Sequence, residues 1–339
     1  MLYGFFSAIL FENRTNKITI LNYKINLRFL QLILLHKNVI LFLVICMNLK
    51  SWMADITTDT ELLRLNLVGT HDCVTQYVQF SHISKCQDMN IYEQLCLGIR
   101  CLDIRVQSNG ERLGMVHAAA KAFNTPNHLS AQMDMQDVLV HCYKFLEENP
   151  SEAIVFQFKN DNGKEMEKCF DNLYNTYIQK DRAKWFLENR SPSLNEVRGK
   201  IVLIRRCKMA DKKEYTDLNT GIDFSKWVEQ DTAIPQPLKL ETSGKNKMTF
   251  IIQDRYKYKP VPRWNECIKP FLETMGAFNG TYIINYLSTA GGLKGPYKNA
   301  QYINPNFMRY TLNKNYYYGM IYVDFPTKGL VKKIIETNF

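Results

Sequence analysis

Leu65-Asn66-Leu67-Val68-Gly69-Thr70-His71-Asp72 is an apolar run that ends on a histidine and an aspartate, and this ending sets the pattern for the chain. Residues 65–69 are short, mostly aliphatic and bounded by polar residues, as expected of a buried strand. The same form recurs at residues 100–106, 113–116, 153–158, 200–205, 248–253, 281–287 and 319–323. Between most of these runs, apolar residues fall at helical spacing. Val138, Leu139, Cys142, Phe145 and Leu146 make one such face, and Met166, Phe170, Leu173, Tyr174 and Tyr177 another. Ser193-Leu194-Asn195-Glu196 is a capping box that opens a short helix before the fifth strand. Eight strands alternating with helices predict an α/β fold, a TIM-like (β/α)8 barrel in a single catalytic domain.

One connection resists this pattern. Arg105 and Val116 are too close in sequence to hold a helix, and Ser108-Asn109-Gly110-Glu111 has the form of a tight turn. Such turns join antiparallel strands, whereas a barrel needs parallel ones. A helix-less second-to-third connection and a distorted barrel are therefore expected.

Barrel active sites assemble at the C-terminal ends of the strands. Here those ends carry His71-Asp72, Arg105, His117, Lys159, Arg206, Asp254-Arg255-Tyr256 and Asp324. At any one strand a polar residue marks only where solvent begins. Cationic and titratable groups on seven ends, with two of the chain's six histidines among them, point to one rim built for chemistry. Alternation along a strand lets one of Arg205 and Arg206 face that rim, but not both.

The formal net charge of +10 suits a polyanionic partner or a merely solvated basic surface. No long Lys/Arg run with interleaved aromatics supports nucleic acid. Nine cysteines without a C-x-x-C pair give no zinc pattern and fit free thiols, with Cys101, Cys142 and Cys169 as core packing. At the N-terminus, two apolar runs at residues 29–35 and 39–45 flank His36-Lys37-Asn38, and neither alone spans a bilayer. Residues 1–50 form a hydrophobic extension that is either a signal or anchor, implying export or membrane association, or dispensable if the cytoplasmic protein starts at Met47. The catalytic domain is expected over residues 51–339.

Specific motifs sharpen this picture. Val68-Gly69-Thr70-His71-Asp72-Cys73, Tyr92-Glu93-Gln94-Leu95, and Gly98-Ile99-Arg100 leading to Leu102-Asp103-Ile104-Arg105 resemble the catalytic X region of phosphatidylinositol-specific phospholipases C. Trp52-Met53, Asn149-Pro150-Ser151-Glu152, Arg198-Gly199-Lys200, Gln253-Asp254 with Tyr256, and Tyr302-Ile303-Asn304-Pro305 fit the same pattern. The likeness runs over residues 52–336 and is to the bacterial single-domain type.

The resemblance implies that His71 is a general base and His117 a general acid, oriented by Asp324 and Asp72 respectively. It implies that Arg105 stands where calcium-dependent relatives carry a metal-holding acid, so that no metal and no other cofactor is needed. Lys159, Arg206, Asp254 and Tyr256 become ligands of the inositol ring. The partner is a phosphatidylinositol-containing membrane surface, with no nucleic acid, no obligate protein partner and a monomeric enzyme. Tyr77, Val78 and Phe80, together with Leu293 and Lys294, fall where relatives dock on membranes.

Two positions depart from the pattern. Cys73 replaces a serine, and Ala118 replaces a glycine after the second histidine; if φ is positive there, Ala118 is strained. The rival readings are a metal-dependent glycerophosphodiester or sphingolipid phosphodiesterase and a weakly active inositol-lipid-binding module.

Overall fold

The computed structural model describes residues 4–11, 18–25, 47–110, 112–162, 168–230 and 235–339. Near the N-terminus, β1 (Gly4–Phe11) and β2 (Ile18–Ile25) pair antiparallel, with Gly4 opposite Ile25 and Phe11 opposite Ile18. The apolar runs at 29–35 and 39–45 lie outside the described residues. No helix among the described residues is long and apolar enough to cross a membrane.

Leu49–Phe339 forms one compact unit. Its strands are β3 (Leu67–Thr70), β4 (Tyr77–Val78), β5 (Cys101–Asn109), β6 (Arg112–His117), β7 (Ala120–Phe123), β8 (Ile154–Asn162), β9 (Trp185–Phe186), β10 (Ile201–Arg206), β11 (Ile222–Asp223), β12 (Leu238–Glu241), β13 (Thr249–Gln253), β14 (Thr281–Tyr286) and β15 (Met320–Val323). The main sheet runs β11-β10-β8-β5-β3-β15-β14-β13-β12. Every neighbouring pair is parallel except β12 with β13. Eight parallel strands thus curl into a TIM-like barrel, and among the described residues no pairing closes it between β11 and β12.

The tight turn at Gly110 decides the irregular stretch. Gly110 takes φ +61, and β6 folds straight back on β5, with Asn109 opposite Arg112 and Val106 opposite Met115. The run at 113–116 is therefore a hairpin arm and not a barrel strand. Its place in the ring is taken by β11, whose two residues are too few to show a periodicity in sequence.

The helices form where capping and apolar spacing agree. Asn90 and Glu93 cap α1 (Ile91–Leu97). Asp134 caps α2 (Met135–Glu148), which buries Val138, Leu139, Cys142, Phe145 and Leu146 as one face. Glu196 accepts the Ser193 backbone N–H at 2.8 Å, opening Leu194–Val197. The helix over Lys168–Asn172 widens into a π-turn at Leu173–Ile178 and buries Phe170, Leu173 and Tyr177, while Met166 lies outside the described residues. Two further helices, α3 (Gly295–Arg309) and α4 (Lys328–Ile335), flank β15 in sequence.

Several of the sequence motifs are structural and sit at the N-terminal end of the barrel, away from the candidate rim. Arg100 is fully buried, and its Nε and Nη2 reach Glu152 Oε2 at 2.9 and 2.6 Å. The rest of that guanidinium donates to the carbonyls of Leu49, Lys50, Leu95 and Ile99. Trp52 closes the floor by donating Nε1–H to Gly98 O at 3.2 Å. A buried charge needs this degree of pairing, so loss of either partner would leave the other uncompensated.

Candidate active site

β3 and β15 lie side by side, and their C-terminal ends bring His71 and Asp324 together. Gln87 fastens this junction by donating Nε2–H to both His71 O (2.7 Å) and Val323 O (3.0 Å). Asn304, from α3, holds Asp324 by its backbone carbonyl at 2.9 Å. His71 Nδ1 then meets Asp324 Oδ1 at 2.8 Å, while Nε2 lies 3.1 Å from Asp72 Oδ2. His117, at the end of β6, enters from the hairpin. Its Nδ1 donates to the Ser84 carbonyl at 2.7 Å, and its Nε2 stands 3.2 Å from the same Asp72 Oδ2. One carboxylate oxygen therefore sits between two imidazoles whose ring centres are 6.1 Å apart.

Asp72 is fully buried with φ +43, a left-handed turn that aims its carboxylate back between the histidines. Its other oxygen, Oδ1, lies 3.0 Å from Arg105 Nε. Arg105 is held on its far side by Asp103 Oδ2, 3.0 Å from Nη2, whereas the carboxylate nearest its Nη1 among the described residues is Asp161 Oδ2 at 3.9 Å. Asp72, Asp103 and Asp161 keep the guanidinium charged in spite of burial.

Two further titrations are set by this arrangement. Burial works against a charged His71 ring, yet Asp72 and Asp324 outweigh burial and Arg105 together and raise its pKa to about 9. Burial disfavours the Asp103 carboxylate as well, but Arg105 and His71 hold its pKa down to about 2. With carboxylates at both ring nitrogens, the charged form of His71 is favoured.

A cavity of about 630 Å³ opens over these groups. His71, Arg105, His117, Asp324, Lys159, Arg206, Asp254 and Tyr256 all line it. Asp72 stands immediately behind this lining. Of the ten strand-end residues, nine are thus gathered at one rim, and Arg255 is not among them. Arg206 is the arginine that faces in, stacked over Trp227 at 3.8 Å, while Arg205 turns away to Asp223 at 2.8 Å.

Sequence reasoning missed Asp161 and Glu229. Lys159 Nζ lies 2.7 Å from Asp161 Oδ1 and 2.9 Å from Glu229 Oε1. Asp161 was findable, because Gln157, Lys159 and Asp161 alternate along β8 and share a face. Glu229 lies in an irregular segment and gave no periodic signal.

The two departures from the expected motif have separate outcomes. Cys73 is buried, its thiol points at Asp103 O (3.1 Å), and burial pushes its pKa up, so it packs and does not react. Ala118 does adopt φ +51, and its N–H donates to Asp161 Oδ2 at 2.7 Å. An alanine in this region costs about 1–2 kcal/mol, partly offset by the greater freedom of glycine in the unfolded chain. Ala118→Gly is therefore expected to stabilise the protein by about 0.5–1 kcal/mol, raising the thermal midpoint by roughly 1–4 °C. A fall in that midpoint would show that Ala118 is not strained.

The phosphatidylinositol-specific phospholipase C, X domain, family model matches residues 70–207, the span that carries both histidines, Arg105, Lys159 and Arg206. Over that span the chain resembles the X domains of phosphatidylinositol-specific phospholipases C. A Listeria monocytogenes protein named 1-phosphatidylinositol phosphodiesterase is 26% identical over 306 residues, covering 85% of each chain. A Staphylococcus aureus protein of the same name is 25% identical over 314 residues, covering 85% of this chain and 94% of that one. Among solved structures, a phosphatidylinositol-specific phospholipase C of S. aureus superposes with TM-score 0.71 at 20% identity, over 86% of this chain and 98% of that one. The L. monocytogenes enzyme does so with TM-score 0.65 at 22% identity, over 86% and 99%. At such identities the structural likeness establishes the shared barrel.

Proposed function

We propose that residues 51–339 cleave phosphatidylinositol, or a glycosylated inositol lipid, to diacylglycerol and inositol 1,2-cyclic phosphate. The observation that carries this reading is the placement of Asp72 between His71 and His117, beside Arg105, in a cavity whose lining is polar enough to hold a polyol. The inositol 2-hydroxyl neighbours the phosphodiester, so an intramolecular attack needs no second reactant to be captured. One imidazole removes the hydroxyl proton as the other protonates the departing glycerol oxygen. Asp324 fixes the His71 ring through Nδ1, and the Ser84 carbonyl fixes that of His117 in the same way. Arg105 offers Nη1 to the phosphate, where negative charge grows in the transition state. Lys159, Arg206 and Asp254 bind ring hydroxyls, and Tyr256 covers the ring face.

His71 acts as the base in this scheme and must be neutral to do so. One feature favours the exchanged assignment, with His71 as acid and His117 as base: carboxylates stand at both ring nitrogens of His71 and favour its charged form. The two assignments give opposite pH profiles, worked out in the Discussion.

The cavity mouth supports action at a membrane surface. Ile83, in the Ser81–Ser84 turn, and Leu293, just before α3, line it, and Phe80 and Tyr297 lie nearby in sequence. Leu293 is fully exposed and Phe80 is 64% exposed, while Val78 is buried in the β4–β7 ladder and cannot dock. Exposed apolar side chains flanked by Lys294 and Lys298 suit an anionic bilayer. Leu293→Asp is expected to weaken sedimentation with phosphatidylinositol vesicles about tenfold, the equivalent of roughly 1.4 kcal/mol of lost leucine burial. Unchanged sedimentation would remove this rim from the reading.

The decisive experiment is phosphorus NMR of the protein with phosphatidylinositol vesicles in EDTA. The cyclic phosphodiester resonance is expected to appear. Silence in EDTA with turnover on added calcium would favour a metal-dependent phosphodiesterase, and silence under both conditions a binding module.

A further inference from the structure

Glu229 holds a position that the proposed reaction does not use. It comes from the irregular segment after β11, and its carboxylate reaches into the cavity between two cations. Oε1 lies 2.9 Å from Lys159 Nζ and 3.3 Å from Arg206 Nη2. Both cations line the cavity among the residues proposed above to hold the inositol ring. Arg206 is nine-tenths buried, with its guanidinium stacked over Trp227 and its Nη1 without a hydrogen-bond partner among the described residues. Lys159 is tethered on its other side by Asp161 at 2.7 Å. Neither cation has much room to swing away from Glu229.

A lysine and an arginine converging on one point make a ready site for an anion. Here the protein itself supplies the anion. Glu229 is half exposed at the cavity wall, and burial disfavours its charge, but Lys159 and Arg206 outweigh burial and keep it ionised. With Asp161 and Asp254 also in this wall, carboxylates outnumber the two cations there. An uncharged polyol can donate hydroxyl hydrogens to these carboxylates and accept from Lys159 and Arg206. A phosphate on the same ring would instead meet Glu229, and like charges at such range in a partly desolvated site strongly disfavour binding.

We propose that Glu229 is a specificity-determining residue that excludes phosphorylated inositol rings by occupying, with its own carboxylate, the anion site formed by Lys159 and Arg206. This inference rests on the inositol-lipid reading above. Replacing the carboxylate by an amide leaves both cations in place and opens them to a ring phosphate.

The test compares the full chain with Glu229→Gln and Glu229→Ala on vesicles of phosphatidylinositol and of its 3-, 4- and 5-phosphates, each in EDTA. The readout is the ratio of kcat/KM for each phosphorylated lipid to that for phosphatidylinositol, which cancels general losses of activity. Both variants are expected to raise this ratio at least tenfold for one or more of the monophosphates. Binding of the matching free inositol monophosphate, measured by calorimetry, should tighten relative to free inositol. Ratios within threefold of the parent for all three lipids would overturn the role of Glu229. Failure of the parent chain to cleave phosphatidylinositol at all would overturn the reading beneath it, a distinct result. A variant that unfolds would show by its thermal midpoint, and the calorimetric comparison in the other variant would then decide.

Discussion

His71→Ala is expected to abolish the cyclic phosphodiester signal, lowering kcat/KM by about 10²–10⁴-fold while the protein stays folded. The expectation lies toward the upper end because the substitution removes more than a proton acceptor. It removes the ring that faces both buried carboxylates, leaving Asp324 without its ion-pair partner and Asp72 paired only with Arg105 and His117. The direction of the pH profile tells which proton His71 carries. If it is the base, only its neutral form works. With a pKa of about 9, that form is roughly one part in a hundred at pH 7, and kcat/KM should climb tenfold per pH unit until near pH 9. If it is the acid, the same group gives an alkaline limb, with activity falling above pH 9. Asp324→Asn removes one of the two carboxylates that raise the pKa, so either limb should move to lower pH in that variant. Retention of more than a tenth of the parent rate in His71→Ala would exclude His71 from the chemistry altogether.

Most of this site was legible because its residues sit at the ends of strongly apolar strands. Thr70-His71-Asp72 and Val323-Asp324 each mark the abrupt exit of a fully buried strand, and abrupt exits are what periodicity detects best. The choice between Arg205 and Arg206 was not legible, since alternation says that one faces in without saying which. Pairing decides it, because Arg205 is consumed by Asp223 on β11, a strand of two residues that no propensity reveals. The hairpin at β5–β6 was half legible. A turn at Gly110 forbids a parallel partner, yet eight apolar runs still suggested eight ring strands when one of them is an arm. That arm carries His117, so the same turn that distorts the barrel delivers the second imidazole to the first.

Gln87 and Glu229 show a different limit. Both act through loops, where contacts depend on the path of the whole chain and leave no period to detect. Gln87 binds the ends of β3 and β15 at once, a role set by strands more than 200 residues apart in sequence (236 between Gln87 and Val323). Arg100 and Glu152 show the opposite case. They belong to the most recognisable motifs of the chain, yet they form a sealed ion pair at the far end of the barrel. Motif membership marks what the fold needs as well as what the chemistry needs, and burial with complete pairing separates the two.

Arg105→Lys is expected to lower kcat by about 10²–10³-fold with little change in the thermal midpoint, and the parent activity is expected to be indifferent to EDTA. The guanidinium spans three carboxylates with a planar fork, presenting Nε to Asp72, Nη2 to Asp103 and Nη1 toward the cavity. A lysine keeps the charge that Asp72 and Asp103 require but cannot hold them and a phosphate together. Arg105→Ala is the less informative variant, because it strands two buried carboxylates and should destabilise the fold by about 3–5 kcal/mol. The permanent charge at this position also bears on metal dependence. A divalent cation at this position would have to approach a guanidinium already pinned between Asp72 and Asp103, the two carboxylates nearest to it. Chelator and calcium titrations check this directly. Activity that vanishes in EDTA and returns with calcium would mean that Arg105 does not stand in for a metal. Activity within threefold of the parent in Arg105→Lys would mean that a point charge suffices and that the fork plays no part in the transition state.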